Sequence, residues 1–211
     1  LSPSYANRTV QVKLEKQIKN LKKTNRVKPD PKLEESINRL QKLLEKVKAA
    51  LKETDIDIEI EAAAESYTDE FFRELIEQKD ILTFGDNYVL FELSFAEEPP
   101  MVTDTIFQLV TEGYKPIMAH VERYPFYMGK MDTLKDFKER GCLLQFNINS
   151  LSGHYGPHIK KWAQEVIDAG IIDVIGSDCH HMGHLQMMNE LRTNPYVHKL
   201  VNNEGMLNRK L

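Results

Sequence analysis

From residue 55 onward, stretches with the apolar spacing of amphipathic helices alternate with short apolar stretches that are typical of buried strands. In three consecutive units, a helical stretch ends at a glycine and leads directly into an apolar strand. Glycine readily takes the left-handed conformation that closes a helix, so we predict three helix–strand units in succession. They are TIFQLVTEGYKPIMAH, LKDFKERGCLLQFNI and WAQEVIDAGIIDVIGSD, with Gly113, Gly141 and Gly170 at the helix ends.

Two further strands and one helix are predicted ahead of these units. DIDIEIEAAAE alternates like a strand over residues 55–63, TDEFFRELIEQ has a helical pattern, and YVLFELSF over residues 88–95 is rich in strand-forming residues. Strands that alternate with helices are usually parallel, because parallel neighbours need a crossover that is most often helical. The pattern predicts an α/β fold and fits both an open doubly wound sheet and a closed barrel.

The amino-terminal part of the chain predicts a helix preceded by a basic segment. Residues 9–28 are basic and weakly periodic, which favours a solvated helix or a long loop over a partner-binding arm. We expect one domain over residues 1–211, in which residues 1–29 form an atypical basic segment. The helix begins at Asp30 and Pro31 and carries an apolar stripe at Leu33, Ile37, Leu40, Leu44, Val47 and Leu51.

The charge and the apolar pattern of the chain argue against nucleic acid and membranes as binding partners. The 211 residues include 28 basic and 32 acidic side chains, and a formal net charge of -4 argues against nucleic acid or an anionic membrane as partner. No apolar run reaches the roughly 18 residues of a spanning helix, and no signal-peptide pattern occurs, so we expect a cytoplasmic protein without membrane insertion. Cys142 and Cys179 lie in or beside predicted strands, which favours two buried, reduced thiols over a disulfide.

Acidic and imidazole side chains recur where predicted strands end. Glu65 follows the strand at 55–63, Glu92 lies in the apolar strand at 88–95, His120 ends the next strand, and Asp178 and His180 follow the last one. Functional residues of parallel α/β folds gather at the carboxyl ends of the strands. Mixed oxygen and nitrogen donors suit manganese, iron or zinc. We therefore predict that these five residues bind divalent metal ions.

Arg123 lies three residues after His120, in AHVERYPFY, where its planar guanidinium would suit a phosphate group near the metal. The chain has neither the G-x-S-x-G element of serine hydrolases nor a G-x-x-x-x-G-K-[ST] phosphate loop, which argues against both classes of enzyme. Of the remaining histidines, His154, His158 and His198 are expected to face solvent. His181 and His184, which follow His180, are expected either to face solvent or to support a metal ligand.

Five segments in a fixed order resemble the bacterial capsule-biosynthesis protein-tyrosine phosphatases of the PHP (polymerase and histidinol phosphatase) superfamily. They are EIEAAAE, YVLFELSF, GYKPIMAHVERY, GCLLQFNINSLSGHYG and IGSDCHH, and the resemblance covers about residues 30–211. It implies a distorted (β/α)7 barrel with a metal cluster, usually of manganese, at its carboxyl rim. It also implies that Glu65, Glu92, His120, Asp178 and His180 are the ligands, and that Arg123 lies near the substrate phosphate.

The chain departs from the family pattern at its amino terminus. The family opens with His-x-His on a first strand and Thr-Pro-His after a second, whereas no histidine occurs here before His120. Ser4 and Tyr5 stand where imidazoles of the second motif are expected, and the first β/α unit has no counterpart. Either the sequence lacks its amino-terminal segment, or the protein has lost part of its metal cluster.

Three functions remain open. The first is a metal-dependent phosphoester hydrolase acting on phosphotyrosine, with Arg123 and Asp178 as catalytic residues and a phosphoprotein, such as a bacterial tyrosine kinase, as its substrate. The second is a catalytically impaired binding or regulatory module that has lost part of its cluster. The third is hydrolysis of a small phosphoester, or of a nucleic-acid end, which the mild acidity disfavours. Association into homo-oligomers is left open.

Overall fold

The computed structural model describes residues 63–209 and, upstream of them, residues 38, 42, 45–47, 49, 50 and 52–54. The chain divides into two compact units, residues 1–63 and 64–211. In the first unit, the described residues up to residue 52 are helical, as the apolar stripe predicts. Two predicted elements lie outside the described residues. They are the basic segment at 1–29 and, except for its last residue, the strand at 55–63.

The second unit is built from five strands with helices between them. The strands are β1 Glu65–Tyr67, β2 Tyr88–Glu92, β3 Lys115–Met118, β4 Leu143–Asn147 and β5 Val174–Gly176. The helices are α1 Glu70–Glu77, α2 Val102–Thr111, α3 Met131–Glu139, α4 Pro157–Asp168, α5 Met182–Glu190 and α6 Pro195–Val201. Short 3-10 turns follow β3 at Val121–Arg123 and Pro125–Tyr127, and β4 at Ile148–Ser152.

All strand pairs are parallel, and the order across the sheet is β1-β2-β3-β4-β5. The α/β prediction is therefore confirmed. Among these strands the order never reverses, whereas a doubly wound sheet reverses its order at a switch point. The sheet thus has the succession found in (β/α) barrels, while the distorted seven-stranded barrel with an absent or altered first unit stays a prediction.

The helices that lead into β3, β4 and β5 end as the sequence predicts. Gly113, Gly141 and Gly170 have φ values of 84°, 93° and 66°, and each donates its N–H to a carbonyl in the last turn of the preceding helix. A side chain at Gly141 would be strained at this φ and would also approach Val110 to 3.3 Å. The glycines thus allow each helix to turn directly into the next strand.

Side chains of β2 divide between two faces. Val89 and Phe91 are fully buried in the core, where Phe72 and Ile76 of α1 also lie. Leu90 and Glu92 are only partly buried, because successive residues of a strand point to opposite faces. Glu92 therefore ends an otherwise apolar strand without entering the core.

The two thiols differ in environment. Cys142 is buried, as predicted, and burial raises its pKa to about 12. The predicted burial of Cys179 is wrong: it lies beyond the end of β5 in an exposed loop, where its thiol faces the carbonyl oxygen of His181. His154, His158 and His198 are exposed, as expected. Among the described helices, none combines the length and apolar character needed to cross a membrane.

Candidate metal centre

Three of the five predicted ligands lie together. Glu92 closes β2, and His120 follows β3 by two residues. Glu65 was expected beyond the end of a strand, but it is the first residue of β1, where it pairs in register with Leu90. Their side chains differ in exposure, since His120 is buried while Glu65 and Glu92 are about one-third exposed. The group is thus open to solvent on its carboxylate side.

The spacing of Glu65, Glu92 and His120 fits ligands of one ion. His120 Nε2 lies 3.5 Å from Glu65 Oε1 and 3.5 Å from Glu92 Oε2, and one donor atom from each residue falls within 4.8 Å of the others. Donors at about 2.1 Å from a shared ion lie roughly 3.0–3.5 Å apart at tetrahedral or octahedral angles. Two carboxylates and an imidazole suit manganese, iron or zinc, so the donor set fits a divalent metal.

The backbone of His120 is strained where its side chain meets the two carboxylates. The residue has φ 33° and ψ 54°, a left-handed conformation that costs energy for any residue with a side chain. Its N–H donates to Oε1 of Gln145 at 3.3 Å. A Cβ on Gly176 would approach the Gln145 amide to 2.8 Å, so glycine at the end of β5 leaves room for this bond.

The other two predicted ligands lie with Arg123 instead. Asp178 Oδ2 accepts a bond from Arg123 Nη1 at 2.6 Å, and Asp178 Oδ1 lies 3.1 Å from His180 Nδ1. Asp178 has a left-handed backbone with φ 45°, and the His180 ring is 71% exposed. Neither belongs to the Glu65–Glu92–His120 group. Metal binding by Asp178 and His180 therefore stays a prediction.

Two aromatic rings enclose the Arg123 guanidinium. Its Cζ lies 4.4 Å from the centroid of the Tyr155 ring and 5.0 Å from that of Phe95. Tyr155 OH accepts a bond from Asn147 Nδ2 at 3.4 Å. Because Phe95 also stacks on His120, with centroids 5.4 Å apart, it joins the arginine to the three-ligand group. The Arg123 guanidinium thus lies next to the Glu65–Glu92–His120 group.

The sequence profile of the family described as "Capsular polysaccharide synthesis, CpsB/CapC" matches residues 4–205. The chain belongs to the CpsB/CapC family. The resemblance seen in the sequence motifs is thereby confirmed.

Three relatives of this chain are named as tyrosine-protein phosphatases. CapC of Staphylococcus aureus is 30% identical over 131 residues, which cover 59% of this chain and 51% of CapC. The tyrosine-protein phosphatase YwqE of Bacillus subtilis (strain 168) is 27% identical over 50% of this chain and 42% of YwqE. The tyrosine-protein phosphatase CpsB of Streptococcus pneumoniae is 28% identical over 64% of this chain and 58% of CpsB. This CpsB/CapC chain spans about half the length of the curated relatives it matches.

The fold agrees with this family. The chain is similar to a solved structure from work on YwqE of Bacillus subtilis and CpsB of Streptococcus pneumoniae, which are described as unique metal-dependent tyrosine phosphatases. The TM-score is 0.59 at 23% identity, over 80% of this chain and 64% of that chain. At this level of identity, the similarity supports the CpsB/CapC fold alone.

His184 of this CpsB/CapC protein holds the loop that carries Asp178. Its buried Nδ1 lies 3.0 Å from the Asp178 carbonyl oxygen and 3.2 Å from the His180 nitrogen. A ring protonated at Nδ1 donates to the carbonyl, and the other neutral tautomer accepts from the N–H. His184 thus contacts the backbone of both Asp178 and His180, and its support of metal ligands stays a prediction. His181 instead caps α5, accepting from the Gly183 N–H.

Glu122 is a buried carboxyl that the sequence analysis missed. Its Oε1 accepts bonds from the Ser150 hydroxyl at 2.6 Å and from the Asn147 N–H at 3.2 Å. Its Oε2 has no partner among the described residues. Burial raises the pKa of Glu122 to about 7, against the lowering effect of these hydrogen bonds. Glutamate is rarely fully buried, so nothing in the VER segment indicated this position.

Glu122→Gln is expected to stabilise the chelated protein increasingly as pH rises from 5 to 8. Burial raises the folded-state pKa of Glu122 above 4.5, so between pH 4.5 and about 7 the folded state retains a proton that the unfolded state releases. The contribution of Glu122 to wild-type stability should therefore fall as pH rises through this window, by up to about 3 kcal/mol, and the variant should lack this contribution.

Urea unfolding at pH 5 and pH 8 measures this difference in the free energy of unfolding. Glu190→Gln, which changes an exposed carboxyl at the end of α5, is the matched control and should show no pH-dependent gain. If Glu122→Gln and the wild type differ equally at both pH values, the burial of a titrating Glu122 is contradicted.

Proposed function

We propose that this chain is a metal-dependent phosphoester hydrolase that acts on phosphotyrosine in proteins, with manganese as its ion. The observation that carries the proposal is the convergence of Glu65, Glu92 and His120, with 3.5 Å between the imidazole and each carboxylate. Membership of the CpsB/CapC family supports it, since relatives are named as tyrosine-protein phosphatases.

Glu65, Glu92 and His120 would hold the metal. A bound divalent ion acidifies water for attack on phosphorus and neutralises phosphoryl oxygens. Arg123 would supply a fixed positive charge for the transferring phosphoryl group, because its guanidinium is held against the rings of Tyr155 and Phe95 and by its bond to Asp178.

Asp178 orients this arginine. Its carboxylate accepts from Arg123 Nη1, and a substrate phosphate would share the remaining guanidinium donors. We further propose that Asp178 and His180, delivered by the loop after β5, contribute ligands to the same cluster. The proposed frame for this site is the PHP-type barrel with an altered first unit, to which the unreversed strand order lends support.

The proposed biological setting is capsule or exopolysaccharide biosynthesis in the cytoplasm, with a bacterial tyrosine kinase as substrate. Family membership supports the first part. Two unpaired thiols, Cys142 and Cys179, fit a reducing compartment. The kinase is proposed on the resemblance to the capsule-biosynthesis tyrosine phosphatases alone.

The proposal is tested with chelated protein and a phosphotyrosine peptide. We expect no phosphate release from the chelated protein and restored release after addition of Mn²⁺, with a phosphoserine peptide turned over more slowly. His198→Ala, at an exposed position on α6, should behave like the wild type and controls for loss of a histidine elsewhere. Absence of release from the manganese-loaded wild type would contradict the proposed activity.

A second candidate function is a binding module with an incomplete cluster. It is favoured by Ser4 and Tyr5, which stand where the resemblance leads one to expect imidazoles of the second motif. Such a protein would bind a phosphotyrosine peptide in the presence of Mn²⁺ and release no phosphate. The peptide experiment therefore separates the two functions.

A further inference from the structure

Phe95 lies beside two of the residues that the proposed chemistry uses, His120 and Arg123. Its ring centroid is 5.4 Å from that of His120, with the planes 24° apart, and 5.0 Å from Arg123 Cζ. Tyr124 contacts it as well, with centroids 5.4 Å apart. The ring therefore touches both the histidine of the three-ligand group and the cation proposed to receive the phosphate.

The backbone that carries Phe95 is anchored. Two residues earlier, the buried N–H of Leu93 donates to Tyr124 OH at 2.9 Å. Tyr124 is itself fully buried, and burial raises the pKa of its hydroxyl, so the phenol stays neutral. Between Leu93 and Phe95, the Ser94 hydroxyl accepts from the Ala96 N–H at 3.1 Å. These bonds fix where the Phe95 ring lies relative to His120.

Phe95 nevertheless remains 42% exposed. Its contacts with His120, Arg123 and Tyr124 occupy part of the ring and leave the rest facing solvent beside the charged group. Covering an exposed aromatic surface with an apolar group is favourable, because it removes apolar area from water. The organic group of a phosphate ester begins one oxygen away from phosphorus, so a phosphoryl group between the metal ligands and Arg123 brings that organic group close to Phe95.

We propose that the exposed part of Phe95 packs against the aromatic ring of the substrate and makes this site select aryl over alkyl phosphate esters. The inference rests on the proposed function and adds to it the side chain that recognises the ester group. An aryl ring can pack on Phe95 in an offset or edge-to-face arrangement, which adds to the binding free energy beyond the burial of apolar area. An alkyl group would gain only apolar contact.

Binding of phosphonates tests the proposal without relying on turnover. Phenylphosphonate and ethylphosphonate are titrated by calorimetry into the manganese-loaded wild type and into Phe95→Leu, which keeps an apolar side chain but removes the ring. We expect Phe95→Leu to weaken phenylphosphonate about threefold to tenfold and to change ethylphosphonate by less than about twofold. Phe95→Tyr, which keeps an aromatic ring, should retain the wild-type preference for phenylphosphonate over ethylphosphonate.

The matched control is Phe107→Leu on α2, where the phenylalanine is 70% exposed. It should leave both affinities at wild-type values. An equal loss for both phosphonates in Phe95→Leu would overturn the inference, because it would mean that Phe95 only supports Arg123 and His120. A wild type that binds the two compounds equally well would contradict this inference alone, whereas a wild type that binds neither would contradict the proposed function too.

Discussion

Glu92→Gln is expected to weaken manganese binding by at least about 100-fold and to lower phosphotyrosine hydrolysis with it. Loss of a residue that merely orients a ligand already costs about 10–100-fold in metal affinity or activity, and loss of a ligand should cost no less. The amide keeps the shape of the carboxylate but brings no negative charge to the ion. Its neighbour His120 stays in place, since the ring is held by Phe95 and Tyr124.

Manganese titration by calorimetry and phosphate release at saturating Mn²⁺ measure the two effects of Glu92→Gln separately. Glu77→Gln, at an exposed position closing α1, is the matched control and should bind manganese like the wild type. Thermal unfolding of the chelated proteins checks that the variant folds. Retention of affinity within about threefold of wild type in Glu92→Gln would exclude Glu92 as a ligand.

Arg123→Lys is expected to lower kcat/KM for a phosphotyrosine peptide by about 100-fold, in the range seen when one preorganised donor to a transition state is removed. Lysine retains the charge but lacks the planar fork that Tyr155 and Phe95 enclose. It can pair with Asp178 only through a flexible ammonium. Manganese affinity should change little, because lysine keeps the positive charge beside Asp178 and Arg123 is not one of the three converging ligands.

Steady-state kinetics at saturating Mn²⁺ test this expectation. Arg140→Lys provides a matched control, because Arg140 also pairs with an aspartate, Asp136, but does so at an exposed helix end. It should keep wild-type kinetics. If the kcat/KM of Arg123→Lys stays within about threefold of wild type, the guanidinium itself is not required. A positive charge at this position would then be sufficient.

The sequence predicted the fold wherever local signals and packing agree. Gly113, Gly141 and Gly170 mark helix ends that the structure places at positive φ, and the apolar stretches after them form parallel strands. The candidate metal ligands were chosen by one rule, that parallel strands deliver functional groups at their carboxyl ends. This rule correctly brought Glu92 and His120 together.

The errors and omissions arise from contacts that no local pattern records. Glu65 begins a strand of only three residues, Glu65–Tyr67, which the sequence analysis did not predict. Asp178 takes a left-handed conformation that is uncommon outside glycine, and its loop carries Cys179 into solvent. Glu122 is fully buried although glutamate is usually exposed, and Phe95 is half-exposed although phenylalanine is usually buried.

The most direct test of the central claim is X-ray diffraction from manganese-soaked crystals, recorded to reveal the anomalous signal of the ion. A peak within bonding distance of Glu65, Glu92 and His120 Nε2 is expected in the wild type, and its loss is expected in Glu92→Gln. Manganese bound only at other positions, or no ion at all in fully soaked crystals, would contradict a metal centre built on these three side chains.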